Sequence, residues 1–221
     1  GPEQYEVVIG PEEGIRAADA ATIVREIVRS TARHLGEEAT FAPILDPSSV
    51  GNGVHVHISF RNADGLSKTF DPDGKYGMSK LTESFAAGVL KYLDSILAIT
   101  APSVISYLRL TPHRWSAAYN NLGFRDREAS LRVCPVTSKD PLSAADQFNI
   151  EYRAADAAAC PHLALAAIIH AGVQGVEESL TINEPTTEDL SLLSSDELAK
   201  RGFIRLPQNL DSALNCMSSN K

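Results

Sequence analysis

Gly51-Asn52-Gly53-Val54-His55-Val56-His57-Ile58-Ser59-Phe60 carries the cleanest alternation in the chain. Val54, Val56, Ile58 and Phe60 fall on one parity and His55, His57 and Ser59 on the other. That is the pattern of a half-buried strand, whose successive side chains point to opposite faces. Both imidazoles and the hydroxyl then look to one side, about 7 Å apart per two residues. A His-x-His pair of this kind can chelate one zinc ion, serve separate ligands along a cleft, or face solvent. The spacing leaves all three open, and a zinc hydrolase built on the pair needs a third ligand and a water site.

Three further segments alternate in the same way. Tyr5, Val7 and Ile9 oppose Gln4, Glu6 and Val8; Leu131 and Val133 oppose Ser130 and Arg132; Phe148, Ile150 and Tyr152 oppose Asn149, Glu151 and Arg153. Each predicts a strand with one polar face. Glu151 beside Arg153 reads either as a metal ligand with an anion clamp or as a structural ion pair. Helical periodicity predicts helices over 20–35, ending at Gly36 as a left-handed cap, over 79–99, and from Pro161 onward. Strands mixed with long helices predict one α+β domain, an antiparallel β-sheet with flanking helices.

The composition narrows the function classes. With 43% hydrophobic and 22% charged residues the 221-residue chain has the make-up of a folded globular domain. Its formal charge of −8 has the wrong sign for a nucleic-acid or anionic-membrane binder. Cys134, Cys160 and Cys216 are odd in number, widely spaced and without a Cys-x-x-Cys pair, which suggests neither a disulfide framework nor a zinc ribbon and points to a reducing, cytoplasmic setting. Cys134, lacking any nucleophile signature, reads as a small buried thiol. The most apolar stretch, 163–176, is too short to span a bilayer. The opening Gly1-Pro2-Glu3-Gln4 is read as the start of a piece lying inside a larger protein.

Six of the 13 arginines fall between positions 109 and 153: Arg109, Arg114, Arg125, Arg127, Arg132 and Arg153. In an acidic chain this concentration predicts a local anion site, since guanidinium forks grip phosphate or carboxylate oxygens bidentately. No Walker-type glycine loop is present to do that work. Glu6, His55 and Glu151 beside these arginines have the make-up that divalent-metal phosphoryl transfer needs: ligands for Mg²⁺ or Mn²⁺, the latter more tolerant of imidazole, and fixed positive charge.

The order of the motifs carries a resemblance. Glu3-Gln4-Tyr5-Glu6, the stretch 51–59, Ser106-Tyr107-Leu108-Arg109-Leu110, Arg127-Glu128-Ala129-Ser130-Leu131-Arg132, Ile150-Glu151-Tyr152-Arg153 and Pro161-His162-Leu163-Ala164 follow one another over nearly the whole chain. Together they resemble the glutamine synthetase family. The resemblance implies that 1–221 is a partial catalytic domain of that family, truncated at its N-terminus and lacking the β-grasp domain. It implies ligation of glutamate to ammonia or a small amine at the expense of ATP, through a γ-glutamyl phosphate, with Mg²⁺ or Mn²⁺. A non-catalytic structural or interaction relative of the same fold is the competing class.

The resemblance also assigns residues. Glu6, His55 and Glu151 match metal ligands; His57, Ser59 and Arg132 match nucleotide-site positions; Gly51 and Arg109 match glutamate-binding positions; Arg127 and Arg153 match arginines around the transferring phosphoryl group. Where the ammonia-using enzymes carry Pro-Gly-Tyr-Glu, this chain reads Pro112-His113-Arg114-Trp115. Trp115 therefore resembles the branch that takes larger amines, including γ-glutamylpolyamine ligases, and an indole face can hold a cation. The family's stacked rings imply a homo-oligomer for the full-length protein, with the fragment alone inactive.

Overall fold

The computed structural model describes residues 4–219. Four three-residue strands form one sheet in the order β1-β4-β3-β2: β1 (Val56–Ile58), β2 (Leu122–Phe124), β3 (Leu131–Val133) and β4 (Ile150–Tyr152). β4 runs antiparallel to both β1 and β3, as expected. β2, however, runs parallel to β3, so the sheet is mixed rather than antiparallel.

The reason lies in the connection 125–130. Parallel neighbours ordinarily need about a dozen or more residues between them. Here Arg125 takes a left-handed φ of 65°, and the loop folds back so tightly that a Cβ on Gly123 would stand 2.6 Å from Ala129 Cβ and 2.7 Å from Asp126 Cβ. Only glycine fits beneath that return.

The apolar parity of the strands forms the floor of the core. Leu131, Val133, Ile150 and Tyr152 are completely buried. Against them lie α2 (Lys80–Lys91) and α6 (Pro161–Glu177), which cross closely at glycines: a Cβ on Gly88 would meet Ala171 O at 2.4 Å, and one on Gly175 would meet Ser84 O at 2.3 Å. The helix predicted over 79–99 breaks at Tyr92 (φ −102°, ψ 10°), and α3 (Leu93–Thr100) continues beyond it. Ser79 caps α2 through its hydroxyl.

The first helix, α1 (Ile15–His34), begins earlier than predicted, and Gly36 follows it at φ 77°, the left-handed stop read from the sequence. α1 is tied to the body by Arg25, which donates to Ala157 O at 3.0 Å, and by Asp19, which pairs with His162 at 2.8 Å. The remaining helices are α4 (Ser106–Arg109), α5 (Pro141–Gln147), α7 (Ser195–Lys200) and α8 (Leu210–Ser219), the last packed on α3. No helix among the described residues is long and apolar enough to cross a membrane.

The alternation at 5–9 does not form a strand. The segment is irregular, with Tyr5 90% and Val8 81% exposed. Alternation specifies which side chains would share a face, but a strand also needs a neighbour to pair with, and among the described residues this segment has none.

Candidate active site

The register of the sheet assembles the site. His57 on β1 stands opposite Glu151 on β4, and Glu151 stands opposite Arg132 on β3. Three residues from separate parts of the chain thus form one row on the face away from the core. His55 and Arg153 extend the row at the strand ends, where Val54 N–H still donates to Ala155 O at 2.9 Å.

Glu151 is the hub. It is 1% exposed, a burial that an unpaired carboxylate would not tolerate. Its Oε1 lies 2.6 Å from Arg153 Nη1 and 3.1 Å from His55 Nδ1, with His57 Nε2 at 3.8 Å. Its Oε2 lies 2.5 Å from Arg132 Nε, a close charge contact without an aligned hydrogen bond. Burial opposes ionisation of Glu151, but the hydrogen bond from His55 and the charges of Arg153, of His55 once acid protonates it, and of Arg132 outweigh it and hold the carboxyl down at about 2. His55 is shifted the other way: burial, reinforced by Arg153 and Arg109, lowers its pKa despite Glu151, so its ring is neutral near pH 7.

A neutral imidazole and an ionised carboxylate are what a divalent cation requires. The 3.1 Å between His55 Nδ1 and Glu151 Oε1 is the hydrogen bond that His55 donates to Glu151, so these two atoms could serve one divalent cation only once that proton is given up. As a pair they would supply at most two of the ligands that Mg²⁺ takes. Among the described residues no three His, Cys, Asp or Glu side chains stand together as an ion-binding set. Glu6 is accordingly not gathered with His55 and Glu151: it lies exposed on the irregular N-terminal segment, which Gln4 Nε2 ties to Gly51 O at 3.0 Å and Asn52 Oδ1 at 2.6 Å.

Arg109 is placed differently from the arginines of the sheet. It is 2% exposed and lies behind the 51–53 loop, where a Cβ on Gly51 would collide with its Cγ at 2.5 Å. Its fork donates to Ser116 Oγ at 2.9 Å and to the carbonyls of Ala154 and Ala155 at 2.8 and 3.0 Å. Burial lowers its pKa to about 10, which leaves it cationic. Ser59, exposed just past β1, keeps the parity of His57.

Trp115, 64% exposed, sits at the rim with the Arg127 guanidinium 5.8 Å from its ring centre. Arg153 links this rim to the hub: besides Glu151 it donates from Nη2 to Trp115 O at 3.2 Å and from Nε to Arg127 O at 3.2 Å.

From the sequence, Asn149 falls on the polar parity and Cys134 reads as a buried thiol, but neither is given a partner, and Glu128 is passed over. Asn149 Oδ1 lies 2.8 Å from His57 Nδ1, while the ring's Nε2 lies 3.8 Å from Glu151 Oε1. The parity of Asn149 with Glu151 was the available signal. Cys134 is buried as expected, and burial pushes its thiol up to about 11, yet its Sγ lies 3.6 Å from His57 and 3.7 Å from Glu151. Glu128 accepts from the backbone N–H groups of both His113 and Trp115. Two open cavities, of about 230 and 480 Å³, share no residue with the cluster.

Comparison with known proteins gives the same direction. The family model of the glutamine synthetase catalytic domain matches residues 1–221. The gamma-glutamylpolyamine synthetase GlnA3 of Streptomyces coelicolor is 37% identical over 211 residues, covering 96% of this chain and 44% of that protein. A glutamine synthetase of Methanocaldococcus jannaschii is 31% identical over 215 residues, 97% of this chain and 46% of its own. Among solved structures, a glutamine synthase homologue superposes with a TM-score of 0.80 at 44% identity, covering 94% of this chain and 45% of that one. GmaS in complex with ADP superposes with a TM-score of 0.77 at 28% identity, covering 92% and 45%. The chain spans about half the length of the relatives it matches.

Proposed function

Because the chain belongs to the glutamine synthetase family, we propose that its protein is an ATP-dependent ligase joining the γ-carboxyl of glutamate to an amine through a γ-glutamyl phosphate. The observation that carries this reading is the row His57–Glu151–Arg132 across three strands, extended by His55 and Arg153. It puts an ionised carboxylate, a neutral imidazole and fixed guanidinium charge on one face, the set that phosphoryl transfer to a carboxylate needs.

His55 and Glu151 would hold Mg²⁺ or Mn²⁺, which when bound supplies neutralisation of the nucleotide's phosphate charge. Glu6 is assigned to a separate ion on the resemblance alone. Arg132, 12% exposed at its side chain, presents positive charge to the nucleotide beside His57 and Ser59. Arg127 stabilises charge spread over the transferring phosphoryl oxygens, and Arg153, whose Nη1, Nη2 and Nε already donate to Glu151, Trp115 O and Arg127 O, adds positive potential beside it. Gly51, whose missing side chain makes room for Arg109, is assigned to the acid substrate on the resemblance alone, and Arg109 contributes positive potential from behind that loop. Trp115 borders the acceptor amine, and the identity with a gamma-glutamylpolyamine synthetase supports an amine larger than ammonia. By the same reading the full-length protein is cytoplasmic and forms a homo-oligomeric ring.

Full-length protein supplied with ATP, Mg²⁺ or Mn²⁺, glutamate and a panel of amines tests this. Phosphate release that depends on both glutamate and an amine is expected. Equal silence with every amine, despite nucleotide binding, overturns it.

A further inference from the structure

The loop that carries Trp115 adopts a conformation that its own residues disfavour. His113 and Trp115 both have left-handed φ, 63° and 54°, although neither is glycine. Residues in that state persist only where the surroundings over-determine them. Here one side chain meets both: Glu128 Oε2 accepts from His113 N–H at 3.0 Å and Oε1 from Trp115 N–H at 2.6 Å. A two-oxygen acceptor bridging two amides with charge-assisted bonds is the strong form of such an anchor. Glu128 is itself held, since its own N–H donates to Asp126 Oδ1 at 2.8 Å within the tight 125–130 return. The neighbouring Arg127 covers one side of the indole. On the far side of the loop the His113 ring contacts Asp189 Oδ2 at 2.7 Å and Ser191 Oγ at 3.1 Å.

We infer that Glu128 is the positioning residue that fixes Trp115 as a preformed wall of the acceptor site, so that the wall reads the carbon chain of the amine rather than its charge. The second half follows from Arg127. A guanidinium already stands 5.8 Å from the centre of the indole on one side, so another cation near that ring meets like charge. What the 64% exposed indole still offers is apolar surface, which an alkyl amine's methylenes can cover and bare ammonium cannot.

The inference rests on the ligase reading for the word acceptor, but the clamp can be tested without turnover. Glu128→Ala and Glu128→Gln are made in full-length protein with and without Trp115→Phe, and Trp115 emission is taken as the difference between the paired proteins. Release of the clamp is expected to lower the fluorescence anisotropy of Trp115, most in the alanine variant. Glutamine keeps one acceptor and sets an amide N–H₂ against the second backbone donor, so an intermediate loss is expected. In phosphate-release assays the alanine variant is expected to raise KM for an alkyl diamine about tenfold, the effect of a competent loop populated one time in ten. KM for ATP and for glutamate is expected to move less than about twofold.

Unchanged anisotropy in both variants overturns the clamp. Lowered anisotropy with an unmoved diamine KM, or with ATP and glutamate KM rising in parallel, overturns its role at the acceptor site. If the alanine variant does not fold, judged by circular dichroism, the glutamine variant decides on the same two readouts. A wild-type protein silent with every amine sinks the ligase reading instead, while the anisotropy still decides whether Glu128 holds Trp115.

Discussion

Replacing Glu151 by glutamine removes one charge and almost no volume, so its effect isolates the electrostatics of the hub. In the folded protein the Arg132 and Arg153 side chains are 12% and 4% exposed, and both meet Glu151 within 2.6 Å. Removing one partner of a buried ion pair costs about 3–5 kcal/mol, because the remaining charge has lost its counter-charge and cannot regain its water. The glutamine carbonyl can still accept from Arg153, which places the loss near the lower figure, about 3 kcal/mol. The pKa displacement leads to a similar value: from 4.5 to about 2, at about 1.4 kcal/mol per pH unit, is about 3 kcal/mol. For a chain of this size each kcal/mol moves Tm by about 2–4 °C, so a fall of about 6–12 °C is expected by calorimetry at pH 7. The sign with pH follows from a carboxyl depressed in the folded state. Its stabilisation is complete above about 4.5 and drains as pH falls toward 2, so the gap between wild type and variant narrows on acidification. In a double-mutant cycle, Arg132→Met combined with Glu151→Gln should lose less than the two single losses added together. A Tm within about 2 °C of wild type, or strict additivity in the cycle, refutes the view that Glu151 is held by these guanidinium groups.

Gly123→Ala should destabilise by about 1–3 kcal/mol, the usual cost of overpacking, because its Cβ would stand 2.6 Å from Ala129 Cβ; a thermal melt matching wild type would mean that the 125–130 return is not packed on Gly123. Cys160 is exposed, and its thiol pKa is lowered by the N–H of Leu163, then by His162, whose ring Asp19 in turn keeps more basic. Iodoacetamide at pH 7 should therefore label Cys160 ahead of Cys134, whose thiol burial raises to about 11. Peptide mass spectrometry with equal or earlier labelling of Cys134 would contradict that order, and the Cys160 rate should fall as acid protonates its thiolate.

What could be read in advance divides along a physical line. Local periodicity decides which side chains share a face, and three of the four alternating segments became strands whose polar and apolar sides are as read: His55 and His57, Arg132, and Glu151 and Arg153 lie opposite buried Leu131, Val133, Ile150 and Tyr152. The stop at Gly36 and the start at Pro161 were equally legible, since caps depend on the conformational limits of single residues. The order of motifs was enough to indicate the family.

Only the tertiary structure decided which faces meet and which partner each charge has. The register that sets His57, Glu151 and Arg132 in one row depends on pairings between segments far apart in the chain, and pairing leaves no local trace. The parallel β2–β3 contact depends on a left-handed Arg125 and the space above Gly123. Arg109 and Arg153 read alike as anion-binding forks, yet both forks donate to protein groups, Arg109 behind a wall and Arg153 between Glu151 and the Trp115 loop. Glu128, an unremarked letter beside Arg127 in the sequence, became an anchor because the fold brought two amide donors to its carboxylate. A residue's type fixes which interactions it can make, and the long-range packing of the chain selects which of them it does make.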